Sequence, residues 1–201
     1  MPLGPRRVFE QEVRLHVCEA GNLRRIHVIG GPGSGKTTFA RRLAKRLSIP
    51  VTDLDEIGYV AGAGPKRALS ERLAAVSAIA AQPTWITEGI YLWWVDDLLR
   101  SADAIVWLDL PWRVAAWRIT MRHVRMSLAG TNRQPGLRRL MRFLRSARRY
   151  YADASENAPV AADDDGAVTR ARTADYLDMY ADRLVRCSNA AEIASFLRSA
   201  G

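Results

Sequence analysis

Apolar and polar positions along the chain follow two alternating periods. Short apolar runs at Arg25–Ile29, 51–55, 85–87, 104–109 and Leu184–Cys187 read as buried strands. Stretches of helical spacing separate them. Residues 38–47 place Phe39, Leu43 and Leu47 on one face, and Ser70 caps a helix over 70–81 that Gln82-Pro83 ends. Trp112–Leu128 carries the stripe Val114, Trp117, Met121, Val124 and Leu128, which the spacing predicts to face the core. Further helices are predicted over Leu137–Tyr151, 173–183 and 190–197, the last opened by the capping-box pair Asn189 and Glu192. Strand and helix alternate throughout, so the expected fold is α/β: a three-layer α/β/α sandwich with a mostly five-stranded parallel sheet. Ligands of such sheets gather at the C-terminal strand ends.

The turn after the first strand is Gly30-Gly31-Pro32-Gly33-Ser34-Gly35-Lys36-Thr37, a complete G-x4-G-K-T phosphate-binding loop (P-loop) followed by Thr38 and the first helix. Free amides at a helix N-terminus, with about half a positive charge there, cradle polyphosphate oxygens. Gly30, Gly33 and Gly35 are expected to allow positive φ and a close main-chain approach, and Pro32 to stiffen the turn. Lys36 is expected on the β- and γ-phosphates and the Thr37 hydroxyl on Mg²⁺.

Charge adds a second feature. The formal net charge is +9, and the segment 113–149 holds eleven arginines with no Asp or Glu, leaving 19 basic against 21 acidic residues elsewhere. Arg138, Arg142, Arg145 and Arg149 recur at helical spacing and share a face. Such a block suits nucleic acid, an acidic lipid surface or the phosphates of a small substrate, or is a solvated face. The acidic stretch 152–166 reads as a loop that is either solvated or laid against these arginines. Residues 1–22 read as an extension in which 13–17 alternates like an edge strand, and 23–201 as a single domain containing a basic helical segment at about 118–150. With two distant cysteines, Cys18 and Cys187, no apolar signal core and no uncharged run able to span a bilayer, the expectation is a cytoplasmic protein with reduced thiols and no membrane partner.

Three carboxylates stand at predicted strand ends: Asp55, Glu88 and Asp109. Glu88 and Asp109 are candidates to hold Mg²⁺ with Thr37, and Asp55 or Glu88 to orient an acceptor. Arg118 and Arg122 lie one turn apart beyond Asp109-Leu110-Pro111 and can offset the negative charge of a moving phosphoryl group. Closed over the nucleotide, the basic helices would form an arginine-rich lid that also excludes water.

Asp109-Leu110-Pro111 with Arg118 and Arg122 resembles the lid entry of adenylate kinase-like enzymes, and Glu88-Gly89 resembles their Asp-Gly. More closely, residues 30–38, Leu54-Asp55, 85–91 and 102–111 are similar to a family of small P-loop proteins known as topology modulation or adenylate kinase-like, over about residues 24–150 and the final strand. The resemblance implies ATP with Mg²⁺, and it places Asn189, in Ser188-Asn189-Ala190, where related kinases touch adenine through the main chain. The sequence departs from adenylate kinases at Asp53-Leu54-Asp55-Glu56 and Glu88-Gly89-Ile90-Tyr91, where their AMP-binding motifs stand. Topology-modulation relatives often have Asn at the position of Ile90 and lack the acidic 152–166 segment. An acceptor pocket lined by Asp55, Tyr59, Glu88, Tyr91 and Trp93 is expected instead, with Trp94 in the pocket or the core.

The functional expectation is a Mg²⁺-dependent phosphotransferase with Lys36, Asp55, Glu88, Arg118 and Arg122 in catalysis, moving the ATP γ-phosphoryl to a small acceptor. The alternatives are a regulatory ATPase that binds DNA or RNA through the basic segment, and a nucleotide-dependent scaffold.

Overall fold

The computed structural model describes residues 23–132, 136–152, 161 and 164–200. The expected extension 1–22, its strand at 13–17, Cys18 and most of the 152–166 stretch lie outside the described residues.

Five strands, β1 (Arg25–Ile29), β2 (Val51–Asp53), β3 (Trp85–Gly89), β4 (Ala104–Leu108) and β5 (Leu184–Cys187), form one sheet in the order β2-β3-β1-β4-β5, every pair parallel. The helices are α1 (Lys36–Leu47), α2 (Leu54–Gly58), α3 (Leu69–Ala80), α4 (Asp96–Ser101), α5 (Trp112–Leu128), α6 (Leu137–Tyr151), α7 (Arg170–Leu177) and α8 (Ala190–Ser199). Because side chains alternate across a strand, Ile26 and Val28 of β1 pack on one face with Phe39 and Leu43 of α1 and Phe196 of α8. Ile29, Ile105 and Trp107 pack on the other with Trp94, Leu98, Tyr150 and Leu177. The architecture is the expected three-layer α/β/α sandwich. Among the described residues no helix is long and apolar enough to cross a membrane, and Cys187 is buried and forms no disulfide with a described residue.

Several boundaries differ from those expected. β2 stops at Asp53 because its carboxylate accepts the Asp55 amide and caps α2, so Asp55 begins a helical turn instead of ending a strand. The stretch 58–65 closes on itself through Tyr59 paired with Lys66 and Val60 N–H donating to Pro65 O. α7 starts earlier and ends earlier than the predicted 173–183, since the Thr169 hydroxyl caps it. The short α4 carries too few turns to show a helical period and was not expected from sequence.

The stripe on α5 requires a larger correction. Trp117 is 63% exposed and Leu128 85%, Val124 is also exposed, and the buried positions are Ala115 and Ile119. The face carrying Ala115 and Ile119 packs against the loop instead: a Cβ on Gly33 would lie 2.7 Å from Ala115 O and 2.9 Å from Ile119 Cγ1, so the loop has no room for a side chain there. α5 pairs with α6 through a small cluster of Ile119, Leu140 and Ala147.

His27, at the centre of β1, is fully buried, with Nδ1 2.8 Å from the Thr87 hydroxyl. Burial lowers its pKa from 6.5 to about 4. Below pH 6.5 the unfolded chain takes up a proton that the folded one refuses, so stability is lost as pH falls from about 6.5 through about 4, by about 3 kcal/mol from this group alone. Urea unfolding between pH 4 and 7 should show a steeper acid loss for the native chain than for His27→Gln; parallel curves would contradict the assignment.

Candidate functional site

The loop 30–37 leaves β1 at the sheet's central C-terminal edge and delivers Lys36 as the first residue of α1. Positive φ occurs at Gly33 (80°) and Gly35 (90°). Gly30, expected to share that role, does not; a Cβ there would sit 2.7 Å from Ser34 Oγ, so its lack of a side chain serves contact. Gly31 is tighter still, since a Cβ would fall 2.3 Å from the Tyr150 ring. Tyr151 Oη–H donates to Pro32 O at 2.9 Å, and Arg118 Nη1 donates to Ser34 O at 2.6 Å. Both arginine-rich helices therefore grip the loop.

A cleft of about 740 Å³ opens beside it. Loop residues 33–37 with Thr38, Arg118 and Arg122 line one part, and Trp117, Met121, Ile193 and Leu197 supply an apolar part. The outward stripe of α5 thus faces the cleft and solvent. Asn189 does not line the cleft. Its Oδ1 accepts the Glu192 amide and its Nδ2 donates to Glu192 Oε1, so its side chain serves the capping box.

Glu88 occupies the next-to-last position of β3 and is buried. Desolvation raises its pKa, while the Lys36 ammonium 3.9 Å away and a hydrogen bond from Thr37 pull it back, and the charges of Asp53 and Asp55 add to the rise. Its Oε2 has no hydrogen-bond partner. A buried carboxylate oxygen without a donor, beside a threonine hydroxyl and a lysine, fits a hydrated divalent cation bridging to phosphate oxygens. Thr37 and Glu88 are the residues that would hold it. Among the described residues no group of three His, Cys, Asp or Glu is placed to hold a metal ion.

Asp109 is placed differently from the sequence expectation. Arg170 grips it with Nε at 2.6 Å from Oδ1 and Nη2 at 2.9 Å from Oδ2, and Arg186 adds Nε at 2.9 Å and Nη2 at 2.5 Å on Oδ2. Its oxygens are occupied by two guanidiniums, the arrangement of an ion-pair hub and not of a metal ligand.

Asp55 accepts Tyr91 Oη–H at 2.6 Å, and this bond, with burial, drives the Tyr91 pKa far up, so the phenol stays a donor. Tyr91 packs on Trp94, with ring centroids 4.6 Å apart. Trp94 is buried but also donates Nε1–H to Asp165 at 3.0 Å, so it is both core and site. Trp93 is half-buried and packs against the same core. Lys66, Arg72, Asp165, Tyr150 and Tyr151 were not singled out from sequence. The paired tyrosines ending a basic helix were the only visible signal among them. Asp165, from the acidic stretch expected to be solvated or laid against the 113–149 arginines, instead meets Lys66 and Arg72.

No family model matches the chain. Over 98 residues it is 29% identical to an uncharacterized protein, YqaC, of Bacillus subtilis strain 168, covering 48% of this chain and 55% of that protein. Over 32 residues it is 56% identical to a shikimate kinase of Paracidovorax citrulli strain AAC00-1, covering 16% of this chain and 18% of that enzyme. The matches thus span about half and under a fifth of those relatives' lengths. Among solved structures, a gluconokinase from Sinorhizobium meliloti 1021 superposes with a TM-score of 0.49 at 19% identity, covering 88% of this chain and 89% of that one. A shikimate kinase from Bacteroides thetaiotaomicron superposes with a TM-score of 0.47 at 16% identity, over 88% and 95%.

The hub makes a direct prediction. Asp109→Asn leaves two guanidiniums facing one another at a buried point, and because both arginines are partly exposed we expect a loss of about 2–3 kcal/mol, toward the low end for a broken buried pair. Urea unfolding measures it; an unchanged midpoint would remove the hub.

Proposed function

We propose that the chain is a Mg²⁺-dependent kinase that moves the γ-phosphoryl group of ATP to a hydroxyl of a small acceptor. The observation that carries this reading is Glu88, buried with Oε2 accepting no hydrogen bond and lying 3.9 Å from Lys36 Nζ, under the influence of Thr37 of the loop and of the negative Asp53 and Asp55. Loop amides and Lys36 bind the phosphate chain, and Arg118 and Arg122 offset the charge that spreads over the moving phosphoryl oxygens. Thr37 and Glu88 would hold the cation, which when bound would neutralise charge developing on the transferred phosphoryl group. Asp55, fixed by Tyr91, orients the acceptor hydroxyl and takes its proton as the oxygen–phosphorus bond forms and the bond to the leaving ADP oxygen breaks. The α5/α6 pair serves as the lid of one kinase domain. The short likeness to a shikimate kinase agrees with phosphoryl transfer, and the likeness to topology-modulation proteins agrees with the loop and the Arg118–Arg122 pair.

ATP consumption should rise severalfold with the right member of a panel of hydroxyl-bearing acids, polyols and nucleosides, and Lys36→Ala should lower that turnover on the order of a hundredfold or more. Glu88→Gln should abolish it while ATP binding persists. A panel that leaves basal hydrolysis unchanged throughout would favour a scaffold or regulatory ATPase.

A second reading is favoured by one observation: Arg138, Arg142, Arg145 and Arg149 are exposed and, among the described residues, have no ion-pair partner. Such a face supports contact with nucleic-acid phosphates. Titration with duplex DNA at several salt concentrations should then give a log–log slope of about −0.9 per phosphate neutralised; binding that ignores salt would exclude it.

A further inference from the structure

The 3₁₀ turn Asp165–Ala167 inserts one carboxylate into the wall that carries Asp55. Asp165 Oδ1 accepts Trp94 Nε1–H at 3.0 Å, and Oδ2 accepts Tyr59 Oη–H at 3.2 Å and lies 2.9 Å from Lys66 Nζ and 3.7 Å from Arg72 Nη1. The side chain is only 10% exposed. Lys66 is brought there by the closed 58–66 turn, Arg72 by α3, and Trp94 by the segment after β3, so three separate segments each contribute a donor.

Arg72 departs from a simple structural anchor. It is 1% exposed, its guanidinium lies 5.2 Å from the Trp94 ring centroid, and its Nε and Nη1 have no hydrogen-bond acceptor even with Asp165 in place. A buried guanidinium aimed at a carboxylate it does not reach is an oxyanion site only partly filled. The cluster is also continuous with the proposed chemistry: Trp94 stacks on Tyr91, Tyr91 holds Asp55, and a Cβ on Gly58 would touch both rings, at 3.5 Å from Tyr91 Oη and 3.6 Å from Trp94 Cζ2.

We propose that Tyr59, Lys66, Arg72 and Trp94 form a subsite for a carboxylate group on the acceptor, and that Asp165 is a built-in occupant which that carboxylate displaces. Two donors meet one oxygen and a third meets the other, which matches a planar carboxylate. An untethered ligand can approach Arg72 more closely than a side chain held by the 165–167 turn. The term acceptor rests on the kinase reading, but binding at the subsite does not.

The test measures binding by calorimetry on the full chain without nucleotide at constant ionic strength, with malonate, methyl phosphate and glycerol as probes. Asp165→Asn keeps the side chain's shape and removes its charge; Asp165→Ala empties the position. Both should bind malonate at least tenfold more tightly than the native chain, and Lys66→Met in either background should cancel the gain, which places it here and not at the P-loop. Glycerol should show no change. A folded Asp165 variant with no gain for malonate, with or without a lowered melting temperature, would overturn the proposal in favour of a structural anchor. An equal or larger gain for methyl phosphate would overturn the carboxylate assignment. If no acceptor is ever phosphorylated and the malonate gain persists, the kinase reading fails and the subsite stands.

Discussion

The site depends on main chain packed against side chains with no Cβ between them. Tyr150 lies over Gly31, α5 over Gly33 through Ala115 and Ile119, and Arg118 over Gly35, where a Cβ would meet its Nη1 at 3.0 Å. Each contact uses a missing side chain on the loop, one to bring in α6 and two to bring in α5. The loop is thus set by tertiary packing as well as by its own positive-φ glycines. It also follows that the arginine-rich helices cannot move as a pair without releasing the loop. Phosphate binding and the position of Arg118 are consequences of one packing arrangement.

Burial then sets the electrostatics. Glu88 loses hydration at the end of β3, which favours its neutral form, and Lys36 and Thr37 oppose that loss from the first turn of α1. The balance leaves a buried carboxylate whose Oε2 accepts no hydrogen bond and has Lys36 Nζ 3.9 Å away. A carboxylate fully satisfied by protein donors offers no such capacity, and Asp109 illustrates the contrast: equally buried, it is surrounded by two arginines and committed to holding α7 and β5 to the end of β4. Burial depth alone did not separate them; the surrounding donors did.

This contrast also shows what was legible in the sequence. The loop, the five strands, the position of Glu88 near a strand end and the spacing of Arg118 and Arg122 on one helix could be read because they depend on local spacing: a motif of eight residues, a period of two, a helical turn. Asp109 was misread because its partners, Arg170 and Arg186, lie 61 and 77 residues away. Trp117 was misread for a related reason. Helical spacing identifies a face but not what it meets, and the inward side of α5 is the one that carries Ala115 and Ile119 against Gly33. Lys66 and Arg72 were not singled out because nothing local marks Asp165 as their partner.

The hub also links the two halves of the site. Arg170 opens α7 directly after the turn that carries Asp165, so the grip of Asp109 on Arg170 fixes where that turn can sit. Arg186, held by the same carboxylate, lies 4.6 Å from the Trp107 ring, and Trp107 Nε1–H donates to Tyr150 Oη at 3.3 Å, against Gly31. A continuous set of contacts therefore runs from the loop through Tyr150, Trp107, Arg186 and Asp109 to Arg170 and the Asp165 turn. If ligand binding shifts the α6 end that bears Tyr150, the first element to feel it beyond the sheet is the turn that places a carboxylate among Tyr59, Lys66, Arg72 and Trp94. Coupling of that kind needs two arrangements of the same contacts, and the partly met donors of Arg72 are the place where a second arrangement has most to gain.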